Sequence, residues 1–523
     1  MRVQKAVDNF RAADRHLLII LVISTIVTIV WSLTQPLLYS SDSMTYVRLA
    51  EFLVHRTLPH PIVFIRPPGY SLLLILSGAL AFRSFVGILL IQALMAITMP
   101  LIVYKTVACY SRRAAFSASL AVIFTLMPQI HSRSIMTEQS FIFGFVLLAW
   151  LVVRYRFEPS TNLFWCMIVT TIGLMLLRPS ANLFGYLIVG STLFVEPRRW
   201  RRAALAAAVI FLVPGAWASF AAGVSDPNAG GNLVTRIFTG TPSFAGKQLF
   251  FDAYVVGQYV PARQNAALIG GSVPRLTFSA ENGPASARLL QTLTTFAEKY
   301  PQFWTTHPLA RPGDDAAGFV EGLRSRPSQQ AFGYMWSATD TMLGPAESSR
   351  LFGAVALEAL AERPTIVLAL VDNFISVLFG PMTVYSGAGR LVVLPWIDST
   401  TFPDPDFGTM VRPYRVLPAA ALWESAPISY LYGFGYVLLK PALSLTVILT
   451  LLFMVAGPMR WPAMVLVSAV LVHHAISAVF AQNLTRYSDE VLPVTVVIAA
   501  MGIVAARRRL RPSLCSQDAS VIE

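Results

Sequence analysis

Long apolar runs are the feature that most constrains how this 523-residue chain can fold. A run of about 18 or more apolar residues with few charges is long enough to cross the roughly 30 Å hydrocarbon core of a bilayer as a helix. Composition agrees, because 55% of the residues are hydrophobic, only 13% are charged and the mean hydropathy is +0.60, which is unusual for a water-soluble enzyme. We therefore predict an all-α polytopic membrane protein with about ten transmembrane helices, at 16–34, 85–105, 114–130, 139–153, 162–177, 180–195, 203–222, 436–457, 461–481 and 490–506.

The basic residues predict how these helices are oriented, because Lys and Arg in short loops are held on the cytoplasmic side. They cluster before the first run and after every second run. The first run is too long for a signal peptide and has no small-residue cleavage site after it, so we expect a retained signal anchor. The chain is thus predicted to be a multi-pass protein of the cell inner (plasma) membrane with both termini cytoplasmic. The clusters are Arg2, Lys5, Arg11 and Arg15; Lys105, Arg112 and Arg113; Arg154 and Arg156; Arg198, Arg199, Arg201 and Arg202; Arg460; and Arg507, Arg508, Arg509 and Arg511.

The net charge of +13 is explained by these clusters and does not indicate nucleic-acid binding. The clusters are short, flank membrane spans and lack the interleaved aromatic residues of a nucleic-acid surface, so contact with anionic membrane lipids is the expected role. The three cysteines, Cys109, Cys166 and Cys515, fall in a cytoplasmic loop, a span and the cytoplasmic tail. We therefore expect neither a disulfide framework nor a metal cluster.

Two predicted exported segments break the pattern of helix and short turn. The first is 35–83, and its apolar stretch 70–82 is too short to span. The second is a large exported loop region rich in Pro, Asp and Gly. Within it, the apolar stretch near 355–380 is predicted as an interfacial helix, because a crossing there would invert every later basic cluster. The predicted parts of the chain are an N-terminal transmembrane module (1–222), the exported loop region (223–435), and the C-terminal transmembrane helices with the tail (436–523).

The first exported segment carries the most informative motif. Asp42 comes directly before a stretch with helical apolar periodicity, and Arg66-Pro67-Pro68-Gly69 follows that stretch. Taken alone, Asp42 can be the N-cap of a short helix, and Arg66 can be an interfacial side chain beside a Pro-Pro-Gly turn. Tyr46 lies one helical turn beyond Asp42, where it can share the face of Asp42 or only pack. The order of acid, short helix, turn and cation is more specific than any of its parts.

This order resembles the C-type membrane glycosyltransferases that use polyprenyl-phosphate sugars, in the branch of the protein O-mannosyltransferases and the lipid A aminoarabinose transferases. In that family an acidic residue in the first exported loop is followed by a short helix and a basic-Pro-Pro element, which Asp42 and Arg66-Pro67-Pro68 supply here. Many members carry two adjacent carboxylates in this loop, whereas serines flank Asp42. The metal-independent branch therefore fits better, and no metal or other cofactor is expected. Further similar elements are Met136-Thr137-Glu138, Leu177-Arg178-Pro179 and Arg486-Tyr487.

The resemblance implies transfer of a sugar from a polyprenyl-phosphate donor to a hydroxyl of a glycolipid, polysaccharide or protein acceptor on the non-cytoplasmic face, with inversion. Asp42 is then the candidate general base. The leaving lipid phosphate needs fixed cations, although each candidate cation can instead be a snorkelling side chain. Glu138 can orient a sugar, hold an arginine in place, or only complement a helix dipole. The candidate substrate-binding residues are Tyr46, Arg66, Glu138, Arg178, Lys440 and Arg486.

A different function class stays open, because a fold does not determine a function. The chain can instead be a lipid-linked glycan ligase or flippase, or a non-catalytic membrane subunit with the same fold. A transporter should carry charges along a path through the bundle, whereas a transferase should concentrate them at the exported rim, as the predicted positions do. His473 and His474 in the ninth run can mark a proton path or form helix-packing hydrogen bonds. They point about 100° apart on a helix, which excludes one shared metal site.

Overall fold

The computed structural model describes residues 2–34, 37, 41–56, 66–178, 181, 184–195, 197–225, 247, 249–250, 254, 278–326, 329–362, 374, 442–450, 460–480 and 490–510. Their regular structure is helical and includes no β-strand, in agreement with the predicted all-α class. The helices are α1 (Arg2–Thr34), α2 (Ser41–His55), α3 (Gly69–Leu76), α4 (Val86–Ala108), α5 (Arg112–Phe124), α6 (Met127–Ser132), α7 (Glu138–Phe157), α8 (Thr161–Leu177), α9 (Gly185–Val195), α10 (Trp200–Ser225), α11 (Pro284–Lys299), α12 (Ala316–Ser325), α13 (Gln329–Leu343), α14 (Pro345–Glu362), α15 (Arg460–Phe480) and α16 (Leu492–Leu510).

Four of the described helices are long and apolar enough to cross a membrane. They are Arg15–Leu33 within α1, all of α4, all of α7, and Trp200–Ala221 within α10. Three more are apolar but shorter: α8, Trp461–Ala475 within α15, and Leu492–Arg507 within α16. This set is what a helical membrane protein requires, while the number ten stays a prediction.

The predicted run 114–130 is not one continuous helix. α5 ends at Phe124, Leu126 adopts a left-handed conformation with φ of 57°, and α6 begins at the next residue. The cause is Pro128, which has no N–H to donate to the Phe124 carbonyl and whose ring would clash with that carbonyl if the helix continued. Proline is favoured in a first helical turn, where its missing N–H has no partner within the helix, and α6 carries Pro128 there.

Two other predicted stretches form shorter helices. The predicted run 180–195 gives α9, which begins at Gly185, and its 11 residues rise only about 17 Å at about 1.5 Å per residue. The stretch 70–82 gives the eight-residue α3, after which turns continue to Arg83. The second result agrees with the prediction that this stretch is too short to span.

The chain divides into two compact units, and the first comprises Met1–Val213, Val384–His473 and Ser488–Glu523. Its central helix, α4, packs against α1, α5 and α7. Pro100 inside α4 cannot donate to the Ala96 carbonyl, and the Ser24 hydroxyl of α1 donates to that carbonyl instead, at 3.4 Å. The Pro100 carbonyl in turn accepts from the Ser119 hydroxyl of α5, at 2.9 Å. Side-chain hydroxyls therefore tie three helices together where proline interrupts the backbone ladder.

The second unit, Pro214–Thr383 with His474–Tyr487, contains α11 to α14. Glu358 of α14 accepts hydrogen bonds from the backbone N–H groups of Ala285 and Ser286, both at 2.8 Å, and so satisfies the first donors of α11. The sequence predicted this stretch as an exported loop region, but its described part is a folded helical unit. The core side chains are largely aromatic and include Phe250, Tyr254, Phe278, Phe296, Trp304, Phe319, Phe332 and Phe352.

The interfacial helix predicted near 355–380 falls only partly on described residues. Residues 355–362 are the last part of α14, and Val355, Ala356 and Ala359 are buried in the core of the second unit. Apart from residue 374, the rest of the stretch lies outside the described residues. Its location at a membrane surface stays a prediction.

Candidate functional site

Three helix ends in the first unit bring charged residues together. Glu138 is the first residue of α7, Arg178 directly follows the last residue of α8, and Glu490 comes just before α16. α8 ends where it does because Pro179 follows Arg178, and the residue before a proline avoids helical dihedrals. Arg178 is accordingly extended, with φ of −149° and ψ of 137°. Its side chain is thereby released from the helix and directed toward the two carboxylates.

Arg178 lies between the two carboxylates. Its Nη2 is 2.7 Å from Oε1 of Glu138, and its Nη1 donates to Oε1 of Glu490. Its Nε donates to Oγ1 of Thr137 at 2.7 Å, and the guanidinium carbon is 5.5 Å from the centre of the Phe141 ring. The side chains of Glu138 and Glu490 are only 1% and 0% exposed, so water contributes little to the solvation of either charge. Arg178 therefore bridges two buried carboxylates.

His473 of α15 extends this cluster. Its Nε2 is 3.3 Å from Oε2 of Glu490, on the other side of that carboxylate from Arg178, and its side chain is 1% exposed. The imidazole packs beside the rings of Phe141 and Phe184, at centroid distances of 5.9 and 6.1 Å. Two carboxylates thus face one guanidinium, and the imidazole contacts one of these carboxylates. Helices α7, α8, α15 and the start of α16 meet at these charges.

A second group of side chains lies in α2, α3 and the turn between them, close to this cluster. The Arg66 guanidinium carbon is 5.8 Å from the centre of the Tyr46 ring, and that ring meets Tyr70 edge-on at 5.2 Å. The Ser71 hydroxyl of α3 donates to the Tyr46 carbonyl at 2.8 Å, which fixes α3 against α2. Burial raises the pKa of the Tyr70 hydroxyl, and the nearby Glu138 carboxylate raises it further. Tyr46 and Tyr70 pack in one buried cluster with Ile135 and Leu177, which lie close in sequence to Glu138 and Arg178.

Gly69 explains why the turn and the arginine cluster lie so close together. A Cβ at Gly69 would lie 2.5 Å from the carbonyl oxygen of Leu176, near the end of α8. A backbone oxygen in a helix cannot move aside as a flexible side chain can, so only glycine permits this approach. The Arg66-Pro67-Pro68-Gly69 turn therefore packs directly on the helix end that precedes Arg178.

Four of the seven candidate residues from the sequence are brought together here: Tyr46, Arg66, Glu138 and Arg178. Asp42 is the second residue of α2, one turn before Tyr46, so it lies within the first helical turn and not before it. The side chain of Asp42 lies outside what the structure describes, as do Lys440 and Arg486 altogether. Of the roles left open for Glu138, the structure places it where it holds an arginine.

Sequence reasoning missed Glu490, Tyr70 and the role of Thr137. The sequence contained a signal for Glu490, because a carboxylate at the start of an apolar run is costly to bury and indicates a functional role, as it does for Glu138. Within the described part of the chain, no group of three or more His, Cys, Asp or Glu side chains is arranged to hold a metal ion. Comparison of the chain with family models, curated proteins and solved structures finds no match.

The geometry suits recognition of an anion next to an apolar surface. Arg66 and Arg178 belong to two elements that Gly69 holds in contact, and aromatic rings lie beside both guanidinium groups. Thr137, Glu490 and Glu138 already engage Nε, Nη1 and Nη2 of Arg178, so an anion can bind this guanidinium only through its remaining N–H groups. The same end of the bundle carries carboxylates that can position a hydroxyl group.

Proposed function

We propose that the chain is an integral membrane glycosyltransferase that moves a sugar from a polyprenyl-phosphate donor to a hydroxyl acceptor on the non-cytoplasmic face. The observation that carries this proposal is the meeting of Tyr46, Arg66, Glu138 and Arg178 at one end of the bundle. These residues were predicted from three places in the sequence: Tyr46 and Arg66 from the first motif, Glu138 from the start of one apolar run, and Arg178 from between two others. Their convergence is expected if they form one site and is not expected if each is an isolated snorkelling or capping residue.

The positions of charge along α7 support the proposed side of the membrane. Glu138 begins α7 and belongs to the buried cluster, whereas Arg154 and Arg156 lie in its last turn. At the basic end of the bundle, His16 of α1 is 3.3 Å from the Tyr104 hydroxyl near the end of α4. The positive-inside rule assigns that end to the cytoplasm and the cluster to the opposite face. About ten spans, two cytoplasmic termini and a large exported region belong to the same proposal.

In the proposed reaction, Asp42 takes the proton of the acceptor hydroxyl as the oxygen attacks the anomeric carbon. The bond from that carbon to the phosphate oxygen breaks, and the lipid phosphate leaves with its negative charge. Arg66 and Arg178 stabilise that charge, with Lys440 and Arg486 as further candidates. One attack on the face opposite the leaving group inverts the anomeric carbon. A lone carboxylate at Asp42 is a poor ligand set for a divalent cation, so the proposal needs no metal.

One observation favours a second candidate, a non-catalytic subunit or a lipid-linked glycan ligase or flippase with the same fold. Arg178 contacts two buried carboxylates and a threonine hydroxyl, which is also how a purely structural tie between helices would look. A structural tie would leave Asp42 without a chemical task. The two readings therefore differ in what they expect from a change at Asp42.

The test is sugar transfer from a panel of polyprenyl-phosphate sugars by membranes that contain the wild-type chain, Asp42→Asn or Glu158→Gln. Glu158→Gln is the matched control, since it removes an exposed carboxylate at the basic end of α7. We expect Asp42→Asn to lose at least about a hundredfold in rate, as loss of a general base predicts, with Glu158→Gln and added chelator without effect. If wild-type membranes consume no donor, or if Asp42→Asn transfers as fast as wild type, the ligase, flippase or subunit function takes precedence.

A further inference from the structure

Glu490 contacts the candidate phosphate-binding arginine from a distant part of the chain. It is 312 residues from Arg178 in sequence, yet its Oε1 accepts from Nη1 of that arginine. Glu138 takes the Nη2 side and Thr137 takes Nε. These three partners hold the guanidinium in one plane: Thr137 and Glu138 lie at the start of α7, whereas Glu490 lies just before α16.

Glu490 is a second carboxylate at the Arg178 guanidinium, and its side chain is completely buried. Glu138 lies at Nη2 and Glu490 at Nη1, so the two carboxylates hold different nitrogens of one planar group. Acceptors at both Nη atoms oppose rotation of the planar guanidinium about Nε–Cδ and about the aliphatic torsions of the side chain.

His473 strengthens this geometric role. Its Nε2 contacts Oε2 of Glu490 while Oε1 contacts Arg178, so the two oxygens of one carboxylate are held from opposite sides. The end of α8 that carries Arg178 is also the backbone on which Gly69 packs. Glu490 thus contacts the arginine that directly follows the helix end on which the Arg66 turn packs.

We propose that Glu490 is a positioning residue that orients Arg178 for the phosphate group of the lipid donor. The inference rests on the proposed function and adds to it a residue at the start of α16 that no sequence motif pointed to. Glu490 acts through Arg178 and does not itself contact the donor. Its removal therefore weakens donor binding more than it slows the transfer of donor already bound.

The test uses the purified full-length chain in lipid nanodiscs, with binding of a polyprenyl monophosphate as a readout besides transfer kinetics. Glu490→Gln is expected to weaken binding and raise the donor KM about tenfold, which corresponds to about 1.4 kcal/mol, with kcat changed less than threefold. Glu490→Asp keeps the charge and should recover part of the affinity. In an Arg178→Lys background, Glu490→Gln should add little, because a single ammonium has no plane to orient. Glu158→Gln is the control, and thermal unfolding identifies any variant that fails to fold.

The outcomes separate this inference from the proposed function. If the wild-type chain binds polyprenyl phosphate and transfers sugar, but Glu490→Gln binds as tightly as wild type, the positioning role is refuted and the proposed function stands. Fully additive effects of Glu490→Gln and Arg178→Lys would also refute the role, because they would show that Glu490 does not act through Arg178. If the wild-type chain neither binds the lipid phosphate nor transfers sugar, both proposals fail together.

Discussion

Replacing Arg178 with methionine removes the shared cation from two buried carboxylates. Glu138 and Glu490 are 1% and 0% exposed, so neither can recover its lost partner from water. Breaking a buried ion pair by removing one partner is unfavourable by about 3–5 kcal/mol, and here two acceptors lose the same partner. We expect Arg178→Met to lower the free energy of unfolding by at least about 4 kcal/mol, taking the middle of that range.

The same reasoning predicts that replacing Glu138 and Glu490 with uncharged residues restores the stability lost in Arg178→Met. The triple variant Glu138→Leu/Arg178→Met/Glu490→Leu removes the guanidinium together with both carboxylates, and replacing a buried ion pair by well-packed apolar residues of similar volume is often neutral or stabilising. We expect it to regain most of what Arg178→Met loses. Arg154→Met is the control on the same bundle, because Arg154 pairs with one exposed glutamate, and such pairs contribute about 0–1 kcal/mol.

The assay is unfolding of the detergent-solubilised chain by added SDS, followed by far-UV circular dichroism. If Arg178→Met and Arg154→Met unfold at the same SDS fraction, loss of Arg178 does not destabilise the buried carboxylates and the reasoning is wrong. A triple variant no more stable than Arg178→Met would also refute the reasoning. It would show that the loss of stability comes from lost packing of the arginine side chain and not from unpaired buried carboxylates.

Two further changes test other contacts. Gly69→Ala places a methyl group against the Leu176 carbonyl, so we expect the free energy of unfolding to fall by about 1–3 kcal/mol from overpacking, and sugar transfer to slow. The same SDS unfolding and the membrane transfer assay measure the two effects. Wild-type stability and activity would mean that α3 and α8 are not in contact. In the second unit, burial raises the pKa of Glu358, but hydrogen bonds from Ala285 and Ser286 outweigh this and lower it below 4.5. The stabilising contribution of Glu358 is therefore present above the pKa of the unfolded chain and lost as pH falls through the lower folded value. Amide exchange at Ala285 and Ser286 should be slower in wild type than in Glu358→Ala at pH 7, with the difference shrinking below about pH 4.5; a difference that persists in acid would contradict the cap.

The sequence was sufficient to find Glu138 and Arg178 but not to pair them with Glu490. A charged residue at the end of an apolar run can be recognised from the sequence alone, because burying a charge is costly and such residues are usually functional. The choice of partner is a tertiary event, and 312 residues separate Arg178 from Glu490. The same limit applies to Gly69, whose reason for being glycine lies in a helix end more than a hundred residues away.

Helices of the second unit were missed for a different reason. α11 to α14 are amphipathic and only 10 to 18 residues long, so they give no long apolar run of the kind that identifies a span. The broken run 114–130 shows the converse limit. The apolar run continues through Pro128, but α5 ends before this proline and α6 begins beside it. The apolar run therefore predicted one span where the structure has two helices, α5 and α6.

The charge cluster is itself an argument about function. A buried ion pair is weak evidence for stability, because well-packed apolar residues of similar volume usually stabilise a fold as well or better. This cluster holds two buried carboxylates at one guanidinium, and it lies where three helix ends and the Arg66 turn come together. Such an arrangement is easier to explain if the fixed direction of Arg178 matters to a ligand than if the cluster only joins helices. The rescue experiment can separate these explanations, because a neutral triple variant that regains stability but not transfer would show that the charges serve the reaction and not the fold.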